Sequence, residues 1–303
     1  MAIGVTGWIG MSTEGTPGTP VSMVDTFFAT ESFTAIQSHE PVVVEANIAS
    51  LGKPGYMKGK LTPQGNLSGP LSIKNASVFY WVLGDIDTTD NGDGTYTHTI
   101  IPALELPSFT VHADTVIDTV EQSGALLNKL TISAAAGEVV KLNMEWLGRI
   151  HNEGITLNEV VDMPDTFINF TEAVITLDGT TTLIVENVEI TVENNLKPLF
   201  VLGDTRYPKE IVRDDKPAFT GKLVLIDWDA SLYNKMINAD QVSLKVKLSD
   251  PNGYYIEIEM PQINFSGGFE PEISTGNIVA EPEFEAVGDI PVQVIIYTDQ
   301  ATL

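Results

Sequence analysis

Apolar and polar residues alternate with a period of two along most of this chain, and no other feature constrains the fold as tightly. Leu67-Ser-Gly-Pro-Leu-Ser-Ile73, Leu130-Thr-Ile-Ser133, Val139-Val-Lys-Leu-Asn-Met144, Val188-Glu-Ile-Thr-Val192, Val242-Ser-Leu-Lys-Val-Lys-Leu248 and Tyr255-Ile-Glu-Ile-Glu-Met260 all follow this pattern. Successive side chains leave a β-strand on opposite sides, so the period marks strands with one buried face. The runs are rich in Val, Ile and Thr, which suit a pleated surface. Turn signals separate them: Asp90-Asn-Gly-Asp-Gly94, Asp178-Gly179 and Asp250-Pro-Asn-Gly253. Helical patterns are confined to Asn75–Leu83 and Asp229–Ile237. Each opens on a capping residue, Asn75 in one and Asp229 or Asp227 in the other, and each carries an apolar stripe that can lie on a sheet.

The two helices belong to an internal repeat. Leu67-Ser-Gly-Pro-Leu-Ser-Ile73 followed by a helix matches Phe219-Thr-Gly-Lys-Leu-Val-Leu225 followed by a helix, with Gly69 and Gly221 152 positions apart. Further on, Gly137-Glu-Val-Val-Lys-Leu-Asn-Met144 matches Gly253-Tyr-Tyr-Ile-Glu-Ile-Glu-Met260, now 116 apart, so the first copy holds about 36 additional residues near 85–120. Met23–Phe27 echoes Met163–Phe167, and Thr30-Glu31 with Val44-Glu45 echoes Thr171-Glu172 with Val185-Glu186. Shared self-similarity in consistent order indicates duplication. A chain of 303 residues is long enough for two domains with cores of their own. The expected fold is all-β: two tandem β-sandwich or barrel-like domains, residues 1–160 and 165–303, each with one short flanking α-helix. The extra hairpin or loop at about 85–120 falls in the first.

Several function classes are excluded. The chain has no cysteine, which removes disulfides, thiolate metal sites and cysteine nucleophiles. His39, His98, His112 and His151 are scattered, and no H-E-x-x-H, G-x-S-x-G, P-loop or G-x-G-x-x-G pattern occurs. Asp85–Gly94 resembles a calcium loop, but counting from Asp87 puts His98 where the bidentate glutamate belongs. A solvated hairpin turn accounts for it better. Asp227 and Asp229 form a carboxylate pair whose place at a helix start suits capping. No catalytic residue, metal site or cofactor is expected. No apolar run approaches the ~18 residues of a membrane-spanning helix. The N-terminal MAIGVTGWIG lacks the basic and long apolar regions of a signal peptide, which points to synthesis and assembly in a cytoplasm.

Charge is the remaining signal. Sixteen basic against 41 acidic residues give a formal −25, which disfavours binding to nucleic acid or anionic membranes. Residues 248–303 hold ten acids and no base, and residues 75–128 hold eight acids and no base. Conversely, Lys197, Arg206, Lys209, Arg213, Lys216 and Lys222 fall in one stretch, and Lys53, Lys58 and Lys60 near the equivalent place in the first copy. These are either solvated loops or cationic segments reaching an acidic neighbour.

Gly15-Thr-Pro-Gly-Thr-Pro20, Asp25-Thr-Phe-Phe28, Tyr96-Thr-His-Thr99 and Leu106-Pro-Ser-Phe-Thr-Val111 resemble segments of a family of siphophage tail tube proteins. So do Val188-Glu-Ile-Thr-Val-Glu-Asn-Asn-Leu-Lys-Pro198, Val201-Leu-Gly203 and Phe219–Leu225 leading into Asp229–Met236. The succession covers roughly residues 10–285. The resemblance implies a structural virion protein without catalytic residues, whose subunits join edge to edge into rings that stack into a hollow tube. Duplication then implies three chains per pseudo-sixfold ring. DNA would be unbound cargo in an acidic lumen, and other tail proteins (tape measure, terminator, distal tail) would be partners. The family's long loop to the next ring maps to residues 194–219, with 46–65 as the first-copy counterpart. The expected inter-ring residues are therefore Lys53, Lys58, Lys60, Lys197, Leu199, Phe200, Arg206, Tyr207, Lys209, Arg213 and Lys216, with the two arginines as carboxylate anchors. The alternatives are another β-rich virion protein (terminator, distal tail or decoration protein) and a carbohydrate-binding surface module using Trp81, Trp146 and Trp228.

Overall fold

A computed structural model describes residues 7–43, 55–158, 160–181, 185–203, 205–226, 230–268 and 279–303. Lys53 and the capping pair Asp227 and Asp229, with Trp228 between them, lie outside the described residues. The first half contains β1 (Trp8–Thr13), β2 (Thr26–Phe28), β3 (Ser32–Val43) and β4 (Tyr56–Pro70), followed by helix α1 (Ser77–Leu83). It continues with β5 (Gly84–Asp90), β6 (Tyr96–Pro102), β7 (Phe109–Asp114), β8 (Thr119–Ala135), β9 (Lys141–Leu147) and β10 (Ile150–Glu153). The second half opens with β11 (Ala173–Leu177), β12 (Thr180–Thr181), β13 (Val185–Glu193), β14 (Leu196–Leu199), β15 (Glu210–Arg213) and β16 (Ala218–Leu225). Helix α2 (Ala230–Asn238), β17 (Val242–Ser249), β18 (Tyr255–Gly267), β19 (Glu283–Ala286) and β20 (Gln293–Thr298) complete it. The fold is all-β with two short helices, as the alternation predicts.

Among the described residues all strand pairings are antiparallel. One sheet runs β3–β4–β9–β8–β13–β16–β19 and ends on the C-terminal part of β18. β18 bends, and its N-terminal part lies between β17 and β20 in a second sheet, β5–β6–β20–β18–β17–β11–β12. The first part of β8 belongs to a small third sheet, β2–β1–β7–β8–β10. The strands alternate buried and accessible residues, as in β17, where Val242, Leu244, Val246 and Leu248 all point inward.

The additional residues near 85–120 form the β5–β6 hairpin and β7. At its turn the amides of Gly92 and Thr95 donate to Asp90 and Asp93, and Gly92 and Gly94 take positive φ. The carboxylates are thus engaged by their own turn. β6 pairs with β20, so the β5–β6 hairpin of the first half extends the sheet of the second.

The two helices differ in burial. In α1, Val78, Phe79, Trp81, Val82 and Leu83 are all buried, so the expected single apolar stripe is instead an apolar surface on all sides. Phe79, Val82 and Leu83 line a small apolar cavity together with Leu130 and Ile132 of β8, Ile190 and Val192 of β13, and Ile258 of β18. Ser72 and Asn75 cap each other ahead of it, and Gly84 ends it in a left-handed conformation at φ 109°. In α2 only Leu232 and Met236 pack on the core, and Ile237 is exposed. One apolar cluster runs through both halves. Trp81 stacks on Phe109 at 4.8 Å and donates to Thr13, while Trp146 donates to Gln122; both indoles are buried and so offer no sugar-stacking face.

β4 and β9 approach closely where Gly65 faces Trp146. A Cβ there would lie 2.0 Å from the indole and 2.4 Å from the Thr34 carbonyl oxygen. Overpacking of this kind costs about 1–3 kcal/mol, and backbone on one side leaves little room to relax. Gly65→Ala is expected to lower the urea midpoint by a corresponding amount with an unchanged m-value.

Candidate assembly interface

The two halves of the chain meet strand to strand. Residues 187–193 of β13 pair with residues 129–135 of β8. The inward residues oppose each other as Val188 with Ala134, Ile190 with Ile132 and Val192 with Leu130, and all six are buried. On the outer face Thr131 and Thr191 share a hydroxyl hydrogen bond of 3.0 Å, and Lys129 stands opposite Glu193.

Asn194 closes the end of this junction. It is 1% exposed. Its side-chain amide donates to the carbonyls of Val82 and Leu127 at 2.9 and 3.0 Å, its oxygen accepts from Arg213 Nη2 at 2.9 Å, and its backbone N–H reaches the Asn128 carbonyl at 2.7 Å. The side chain of Asn128 in turn accepts from the Leu196 amide at 2.8 Å. One buried amide thus ties α1, β8 and the second half together. Sequence reasoning did not single it out; the signal available was an Asn-Asn pair ending a run of alternating residues, where a turn is the usual reading.

Residues 194–219, expected as a long connection, contain a second hairpin. β14 pairs with β15, and together they extend the β13–β16 pair outward as a two-stranded arm. The β3–β4 pair is its counterpart in the first half, reaching Val43 and Tyr56. Lys58 and Lys60 therefore stand on strand β4 rather than in a loop. Strands of four residues, interrupted by Pro198, are too short for a period of two to stand out.

The second arm folds back on the first half. The Arg206 Nε donates to the Gly59 carbonyl at 2.7 Å, and the Arg206 carbonyl accepts from the Leu61 amide at 3.0 Å. The Tyr207 hydroxyl donates to Gln37 at 2.6 Å and lies 3.1 Å from the His151 carbonyl. The Lys60 ammonium sits 4.8 Å from the centre of the Phe200 ring. Arg213 Nη1 donates to the carbonyls of Ala103 and Leu104 at 2.6 and 2.9 Å. Burial pushes the Arg213 guanidinium below its usual pKa and the Tyr207 phenol above its own. Both arginines thus bind main-chain oxygens of their own chain rather than carboxylates.

Other predicted residues remain at the surface. Lys197 forms an exposed ion pair with Asp214 at 3.2 Å. Lys58, Lys209 and Lys216 are exposed. Leu199, Val201 and Leu202 present an apolar tip, with Leu202 fully exposed. The first arm ends similarly: Val42 opposite Met57 and Val43 opposite Tyr56, all four exposed. Exposed apolar side chains thus stand near the described ends of both arms of a strongly acidic chain.

Joined edge strands, exposed apolar arms and a polar outer sheet face describe a self-associating structural protein. The chain belongs to the phage tail tube protein family, which it matches over residues 6–287. It is a structural subunit of a phage tail tube and a component of the virion tail, a family whose role is not enzymatic. No curated protein matches the chain.

Replacing Asn194 with alanine strands two buried carbonyls and one face of Arg213. Each unsatisfied buried group costs about 1–3 kcal/mol. Asn194→Ala is expected to lose roughly 2–4 kcal/mol in urea unfolding, whereas Lys197→Ala, which removes only an exposed ion pair, should lose under about 1 kcal/mol.

Proposed function

We propose that three chains close into a ring with pseudo-sixfold symmetry, each contributing two copies of one unit divided near residues 160–165, and that rings stack into the DNA conduit. The observation that carries this reading is the β8–β13 junction. It joins the two halves in one continuous sheet, which is the connection a ring needs at every step. Assembly takes place in the host cytoplasm, with tape measure, terminator and distal tail proteins as further partners.

The outer face of that sheet suits a lumen. A row of small uncharged side chains crosses it: Ser68, Asn143, Thr131, Thr191 and Thr220, followed by Glu285. Around the row stand Glu145, Glu189, Glu193 and Glu283, against Lys129, Lys141 and Lys222. Such a wall is hydrated and mildly negative. It repels phosphate without offering it a cation cluster, so DNA passes unbound.

The arms carry the stacking contact. Arg206, Tyr207 and Arg213 hold the second arm in position. Its tip residue Leu199, the neighbouring Phe200 and the lysines Lys197, Lys209 and Lys216 then meet the adjacent ring, beside Lys58 and Lys60 of the first arm and Lys53, which lies outside the described residues. Exposed ion pairs contribute about 0–1 kcal/mol each, so the apolar tips supply the larger share.

Rings of the purified chain should contain three copies by native mass spectrometry and show six lobes in negative stain; rings of six chains would overturn the stoichiometry. Leu202→Glu, at a fully exposed position, is expected to leave rings intact and suppress their stacking. Tubes of normal length from this variant would remove the second arm from the inter-ring contact.

A further inference from the structure

The repeat allows the outer edge of the second half to be compared with the junction. β9 and β18 occupy corresponding positions, with Met144 paired to Leu130 of β8 and Met260 paired to Leu244 of β17. β17 is therefore the counterpart of β8. The far edge of β8 carries β13, while the far edge of β17 carries β11.

The correspondence extends to single positions. Leu130, Ile132 and Ala134 of β8 oppose Val192, Ile190 and Val188. Leu244, Val246 and Leu248 of β17 oppose Leu177, Ile175 and Ala173. β11 thus stands, in the same antiparallel sense and with three inward residues in the same places, where the next copy of the repeat stands on β8. In the first half the strands ahead of β3 pair elsewhere, β1 with β2 and β7, and leave the β8 edge to β13.

β11 is the weaker occupant. It pairs over five residues against seven for β13. Ala173 stands where Val188 does, Val174 is exposed, and no buried amide comparable to Asn194 closes its end among the described residues. Beyond the strand it is held by the two-pair hairpin with β12, by the Asp178 amide to the Ser243 carbonyl at 2.8 Å, and by an exposed ion pair between Asp178 and Lys235 of α2. At the other end of the molecule, β3 pairs along one edge only among the described residues. β3 leads the first half's long hairpin as β13 leads the second's.

We propose that β11 is a placeholder on the β17 edge, and that β3 of a second copy replaces it when subunits join. The inference rests on the tail tube reading and adds the residues of the joint and the internal segment that must leave it. An edge strand exposes unpaired amides and carbonyls and invites uncontrolled pairing. Covering β17 with the chain's own short strand keeps the free subunit soluble, and exchanging five pairs for a longer β3 drives joining.

The test locks the placeholder. Thr176 and Lys245 face each other across β11 and β17 on the outer side, and the chain has no cysteine to interfere. Thr176→Cys with Lys245→Cys is oxidised in the monomer, its fold checked by circular dichroism, and assembly followed by size exclusion and negative stain. The oxidised protein should form no rings, and reduction should restore assembly to the wild-type rate. The complementary variant Lys235→Ala, which frees the turn after β11, should shorten the assembly lag several-fold. Oxidised protein that assembles as fast as reduced protein would overturn the replacement while leaving the tail tube reading intact, as would a pair that fails to cross-link in the monomer. Wild-type chain that forms neither rings nor tubes would instead count against the ring reading itself.

Discussion

The architecture depends on main-chain hydrogen bonding between β8 and β13. A strand edge is complementary to any other edge of suitable direction, so specificity must come from side chains at its margins. Here three pairs of apolar residues fix which face turns inward, and Asn194 fixes the register by satisfying carbonyls on two different elements. A buried amide with all its partners in place contributes modestly to stability, but a shifted register would leave it unsatisfied, which is costly. Helix α1 is apolar on every side because the sheets enclose it: β8, β6 and β5 pack on it, and Ile190, Val192 and Ile258 of the second half line the small cavity beside it.

The fold class was legible because alternation is a local property. Val242–Leu248 reads as a strand without knowledge of its neighbours, and β17 is that strand. Helix α1 begins two residues and α2 one residue beyond the sequence-based start, an ordinary margin for caps. The family was legible from an ordered series of short motifs that individually carry little. The destination of Arg206 and Arg213 was not legible. A cluster of cations in an acidic chain suggests carboxylate partners, whereas carbonyl oxygens of an adjoining strand leave no trace in composition. Which edges pair across the halves was equally hidden, since it depends on contacts far apart in sequence.

The two halves differ in how their helices and edges are enclosed. The β5–β6 hairpin of the first half extends the second half's sheet through β20, and no insertion follows α2 to do the same for a neighbour. α1 is enclosed while α2 keeps Ile237 exposed. Both differences have the same sense: the surfaces beside the β8–β13 joint are more fully enclosed than those beside β17.

Net charge sets the remaining condition. Copies carrying −25 repel one another, and repulsion of this size opposes any close-packed assembly. At physiological ionic strength screening acts over about 8 Å, so charges distant from a contact matter little and those within it matter most. The internal joint is neutral where it counts. Its central row is Thr131 and Thr191, and the charged pair beside it, Lys129 opposite Glu193, is of opposite sign. On β17 the outward residues flanking the proposed joint include Lys245 and Lys247, and Lys245 is already balanced by Glu257 and Glu259 on β18. The internal joint therefore closes without setting uncompensated carboxylates against each other, although the chain as a whole is strongly acidic.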